Sequence, residues 1–232
     1  TGAYVLLALG MIVLLLALPA GPLPADPLAI AVFCALITFA THFGIPFFDA
    51  TLSLAHVLMF AAILALGPLP AGWAALIGSV LNDLIRTRTT PHMRQPRTML
   101  AVIGQNVFLQ TGSVLAAGYA YLALGGQVPL VAIPAGQVGP LLLSMLVYFG
   151  VNNGVFAIYL RLNGQCPWEH YRQEGWRVAL IEAVPLVVAP LVTAIYTRLG
   201  GIFFDLLVLV LAASVLLTQR LAQAMKTLER RA

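Results

Sequence analysis

Apolar residues fill this chain in long blocks, and polar ones gather in the short joints between them. The blocks outrun ordinary strands and lack the two-residue alternation of a barrel wall, so each reads as a helix. Eight follow one another, over residues 3–18, 27–44, 52–67, 70–86, 98–123, 138–162, 177–197 and 201–218. An apolar run of about 20 residues matches a helix crossing a bilayer core. Prolines mark the joints: Pro19, Pro22, Pro24 and Pro27 before the second block, Pro68 and Pro70 between the third and fourth. Blocks 52–67 and 70–86 are short and closely joined. They predict a helical hairpin whose legs either cross fully or form a re-entrant pair, so the count of crossings runs from six to eight.

Composition carries the same message. The chain is 61% hydrophobic and 9% charged, with a mean hydropathy of +0.96, where soluble domains are about 25% charged. The expected fold is therefore all-α, a polytopic transmembrane helical bundle over residues 1–218. The first block has no basic start and no A-x-A-like end, so it reads as a span and not as a cleavable signal peptide. Cys34 and Cys166 lie on different segments and suggest neither a disulfide framework nor a metal site.

Charge gives the bundle an orientation. Arg86, Arg88, Arg94 and Arg97 crowd one loop, Arg161, Arg172 and Arg177 flank another, and Arg220, Lys226, Arg230 and Arg231 sit in the tail; only Arg198 falls on the other side. The positive-inside bias places these regions, and both termini, in the cytoplasm. Residues 219–232 are expected to begin a cytoplasmic signalling helix. Leu217, Leu221, Ala224 and Leu228 follow 4-3-4 spacing, the seam of a coiled coil, which predicts a homodimer through this helix. A basic helix end snorkelling to the interface is the plainer reading of the same residues.

Candidate chemistry lies in polar side chains inside the blocks, because a polar group in hydrocarbon costs free energy unless it meets a partner or a cavity. His56, Asn106, Gln110, Asn152, Asn153 and Glu182 are the candidate ligand-binding residues; Asn82, Asp83 and Gln105 lie in the same blocks. Adjacent helical residues point about 100° apart, so Asn152 and Asn153 do not face one direction. Asn106 and Gln110 share a face. Gly150 and Gly154 form a G-x-x-x-G step, and Gly112, Ala116 and Ala120 a small-residue ridge, which predict close packing of the fifth and sixth spans. Two readings stand side by side for these amides, interhelical glue and the lining of a ligand cavity. Asp83 most simply pairs with Arg86 at i,i+3. One histidine makes no metal site.

No phosphate-binding loop, H-E-x-x-H or G-x-S-x-G pattern is present, and no nucleophile–base pair follows from spacing. The expectation is a non-enzyme with no catalytic residues, no metal and no cofactor. Its basic loops answer to topology and anionic lipid, with no nucleic-acid partner.

The run from Asp49 to Pro68, then Ala71-Gly-Trp-Ala-Ala-Leu-Ile-Gly-Ser79 and a short basic loop, resembles the MASE-like membrane sensor region of bacterial signalling proteins. Gln105-Asn106, Leu146-Val-Tyr-Phe-Gly-Val-Asn152 and the carboxy-terminal helix continue the resemblance in order. Such regions precede GAF–histidine kinase, GGDEF or HD-GYP output domains. The segments are also similar to the substrate-binding S components of energy-coupling-factor vitamin transporters, six-helix bundles around a small-molecule pocket. The resemblance implies a sensory input module that binds an unknown small-molecule ligand and relays it through the last helix. The alternatives are a vitamin-type transport component and an accessory subunit of a larger membrane complex.

Overall fold

The computed structural model describes residues 2–19, 26–43, 45–47, 50–52, 54–90, 94–162, 164–199, 210 and 213. Within them lie seven helices and one small hairpin: α1 (Gly2–Ala17), α2 (Pro27–His42), β1 (Ile45–Phe47), β2 (Ala50–Leu52), α3 (Ala55–Leu66), α4 (Pro68–Thr89), α5 (Pro96–Ala123), α6 (Ala135–Leu162) and α7 (Pro167–Leu199). The eighth predicted span and the tail seam from Leu217 to Leu228 lie outside the described residues. The fold is a helical bundle, as the apolar blocks predict.

Prolines open four of the helices, where the missing N–H costs nothing. Asp26 caps α2, its carboxylate accepting from Leu28 N at 2.9 Å. The predicted hairpin of the third and fourth blocks is real and tight. Gly67 both ends α3 and starts α4 with φ of 94°, a left-handed backbone that favours glycine. Two lengths differ from expectation. The third block gives only 12 helical residues, about 18 Å, because its first residue, Leu52, pairs instead with Ile45 in the β1–β2 hairpin and the helix starts at Ala55. The polar loop expected over 161–177 is largely helix, since α7 starts at Pro167.

Helix α3 is the hub. It is apolar all round, and residues 59–65 are buried on every face, as such a helix must be. It packs against α2, α4, α5 and α7. Glycines allow close approaches elsewhere. A Cβ on Gly104 would lie 2.5 Å from the Tyr4 carbonyl oxygen of α1, and one on Gly118 would lie 2.8 Å from the Pro68 ring. Helices α5 and α6 do pack along each other, but not through the G-x-x-x-G step: a Cβ on Gly150 or Gly154 would touch nothing within 4 Å. Gly112 faces Met11 of α1.

The two ends of the bundle differ in charge. Arg86 and Arg88 close α4, Arg161 closes α6, and Arg94, Arg97 and Arg172 stand near them, which defines a basic end. The opposite, turn end holds Gly67 and the bond from Leu130 N to Leu64 O at 2.8 Å. Arg198 sits there, donating from Nε to Val131 O at 2.8 Å. Helices α5 and α6 are long and apolar enough to cross a membrane. Large apolar side chains stand outward on α1 and α6, among them Leu6 at 70% and Leu146 at 64% exposed.

Candidate functional site

The i,i+4 spacing of Ser79 and Asp83 on α4, and of Asn106 and Gln110 on α5, puts four polar groups on one seam. Asn106 Nδ2 donates to Asp83 Oδ2 at 2.8 Å. The Ser79 hydroxyl bonds Gln110 Oε1 across the same seam and lies 2.6 Å from Ala75 O. Asn82 Nδ2 donates to Asp83 Oδ1 at 3.3 Å. The predicted pairing of Asp83 with Arg86 is present but long, at 3.6 Å, with the arginine side chain 43% exposed and the aspartate fully buried. The amides, not the guanidinium, hold this carboxylate most closely.

A second polar contact joins α3 to α6. His56 Nδ1 lies 2.9 Å from the Tyr148 hydroxyl, and that hydroxyl lies 3.5 Å from Met59 Sδ. The Tyr148 ring meets His56 and Phe60 edge-on. Asn152 follows one turn later on the same face and is buried. Asn153 turns back onto its own helix, donating to Phe149 O at 3.0 Å, while its backbone carbonyl accepts from the Tyr171 hydroxyl of α7 at 2.8 Å. The structure thus separates the two adjacent asparagines: Asn152 faces inward, and Asn153 serves the junction with α7. Glu182 lies in α7, and its side chain is outside the described residues.

Register brings the two contacts to one level. Helices α5 and α6 run antiparallel from the bond between the Tyr121 hydroxyl and Gln137 Oε1. Counting equally away from that bond sets Asn106 level with Asn152, and Gln110 level with Tyr148. Counting equally from Gly67 along α3 and α4 sets His56 level with Gly78, one residue from Ser79. The result is a two-tier polar layer inside an apolar bundle. Ser79, Gln110, His56 and Tyr148 form one tier. Asp83, Asn106 and Asn152 form the next, one turn nearer the basic end.

Sequence reasoning placed the amides and His56 but missed Ser79 and Tyr148 as their partners. The i,i+4 step from Ser79 to Asp83 was the available signal; Tyr148 read as one more aromatic in an apolar block. Gln137 was missed altogether. Its Oε1 accepts from the Tyr121 hydroxyl at 2.9 Å and Gln127 N at 3.1 Å, and its Nε2 donates to Gly125 O at 3.2 Å, which clasps the α5–α6 loop at the turn end. Among the described residues no three histidine, cysteine or acidic side chains cluster as metal ligands would.

Compared with models of protein families and with curated proteins, the chain matches none. The MASE-like resemblance therefore rests on the residues quoted for it.

Proposed function

We propose that this chain is a multi-pass sensory input module of a bacterial inner membrane, and that it binds a small polar or amphipathic ligand at the two-tier layer. The observation that carries the reading is the layer itself. Polar groups on α3, α4, α5 and α6 sit at one depth, in a bundle whose outward faces are apolar. Intramembrane ionisable and amide side chains of this kind normally face the protein interior and serve as binding or relay groups. Asn106, Gln110, Asn152 and His56 are the proposed ligand contacts, with Glu182 as a further candidate and Asn153 reassigned to the α6–α7 junction.

Occupancy shifts the packing of α5, α6 and α7 and so moves the last span and the helix from Leu217 to Leu228. A ligand drives such a shift only by binding the two arrangements with different affinity. The module works as a dimer through that helix, with an output domain or partner in the cytoplasm.

Native mass spectrometry of the chain, released from bacterial membranes in detergent, tests the proposal. The expected result is a small copurifying mass that disappears in Asn106→Leu while the fold persists. Absence of any bound mass, with Asn106→Leu and Asn152→Leu altering stability alone, would reduce the layer to glue. A disulfide between two copies carrying Leu221→Cys, formed in native membranes, tests the relay. Uptake of a labelled solute into vesicles with a coupling ATPase would instead favour a transport component.

A further inference from the structure

The basic end of the α2–α4 seam holds two buried polar atoms whose hydrogen-bonding capacity is unmet: Asn82 Oδ1 and His42 Nδ1. Asn82 is 1% exposed. Its amide orientation is decided by Asp83, because the nitrogen must face the carboxylate and donate to it. The oxygen therefore points away from Asp83 across the width of its own amide, and stays within reach of anything that also touches that carboxylate.

Register brings His42 to the same place. The β1–β2 hairpin returns the end of α2 to the start of α3, and Gly67 turns α3 back into α4, so α2 and α4 run parallel. They meet where the Thr38 hydroxyl donates to Gly78 O at 3.2 Å. One turn further along both helices are His42 and Asn82, which therefore share that seam. A buried acceptor without a donor destabilises the arrangement that holds it, and this seam carries one beside a buried carboxylate. The cation paired with it among the described residues, Arg86, is at 3.6 Å and 43% exposed.

We propose that this seam binds a protonated primary amine, with the Asp83 carboxylate, Asn82 Oδ1 and His42 Nδ1 as its three acceptors. An ammonium group has three N–H donors and no acceptor, which matches that set in number and kind. It brings a compact positive charge to Asp83 and meets both idle atoms at once. An anion is repelled by Asp83. A calcium-like cation takes six or more oxygens, a set these three groups fall short of. The neutral imidazole accepts at Nδ1 when its proton is on Nε2. Arg86 competes for the same carboxylate and, being long and already partly solvated, withdraws when an amine arrives. The inference rests on the ligand-reading function proposed above and names the chemical class that the lower tier reads.

Thermal unfolding of the full purified chain, followed by tryptophan fluorescence at matched ionic strength, tests it with three probes. n-Butylammonium is expected to raise the unfolding temperature by a few degrees. n-Butanol, which has no charge, and tetramethylammonium, which has no N–H, are expected to leave it unchanged. Asn82→Leu and His42→Phe should abolish the n-butylammonium shift. Arg86→Gln should lower the half-maximal amine concentration severalfold, because the competitor is gone. Equal shifts from the three probes, or an undiminished shift in Asn82→Leu, would overturn the proposal. Should Asn82→Leu fail to fold, Arg86→Gln decides, and an unchanged or weakened amine response overturns it. No amine shift, alongside a copurified mass that still vanishes in Asn106→Leu, removes the amine and leaves the ligand-reading function standing. No shift and no such mass removes both.

Discussion

Gln137 and Asn82 are both buried amides in this bundle, and they are used in opposite ways. At the turn end, Gln137 meets a tyrosine hydroxyl, a backbone N–H and a backbone carbonyl, all within a short stretch of chain. Nothing remains for a ligand to do there. At the basic end, Asn82 spends its nitrogen on Asp83 at 3.3 Å and leaves its oxygen idle. Hydrogen-bond satisfaction therefore separates glue from site more sharply than residue type does. A saturated amide stabilises one arrangement, whereas an unsaturated one favours whatever arrangement or molecule completes it.

Substitutions can break that contrast. The largest effect is expected from Gln137→Leu, which strands the Gln127 N–H and the Gly125 carbonyl and leaves the Tyr121 hydroxyl only the Gln127 carbonyl. The loss should reach about 2–3 kcal/mol, at about 1 kcal/mol for each of the three hydrogen bonds removed, and would appear as a lower unfolding temperature. An effect near zero would mean that the clasp at the turn end is as dispensable as its counterpart. Gly104→Ala comes next. It drives a methyl into the Tyr4 backbone of α1, with an expected cost of about 1–3 kcal/mol, whereas Gly150→Ala, with open space around it, should be neutral or slightly stabilising by the same measurement. Tyr148→Phe removes the hydroxyl shared by His56 and Met59, for about 1 kcal/mol. The smallest change is expected from Asn82→Leu, below about 1 kcal/mol, because the lost donor to Asp83 is offset by removal of an idle acceptor. A large loss of stability there would place Asn82 with Gln137 and erase the distinction.

Part of this architecture is written in one dimension. Helix positions followed from block length and from prolines at the joints: Pro27 opens α2 where the second block begins, and Pro68 opens α4 two residues ahead of the fourth. The Gly67 turn was legible for the same local reason. The shortness of α3 was not, because Leu52 is as apolar as the helix it precedes, and its pairing with Ile45 of β1 takes it out of that helix. Gly150 and Gly154 show the converse. Their spacing marked a close contact, yet in the described bundle they face outward, and the tight approaches belong to Gly104 and Gly118. Small residues permit contact, but which helix arrives is a property of the whole packing.

Among the candidate site residues, His56, Asn106, Gln110 and Asn152 could be picked out singly, since a polar group in an apolar block is conspicuous whatever surrounds it. Asn153 looked identical to its neighbour. The 100° between them divides inward from self-bonded, and no sequence pattern says which is which.

By itself the sequence determined that the chain is helical, apolar and charged at one end, because hydropathy, proline placement and arginine distribution are local and additive. The tertiary structure alone decided which polar atoms find partners and which stay idle. Hydrogen bonds are short and directional, so Asn82 Oδ1 and Gln137 Oε1 acquire opposite meanings only once four helices have fixed what stands within about 3 Å of each.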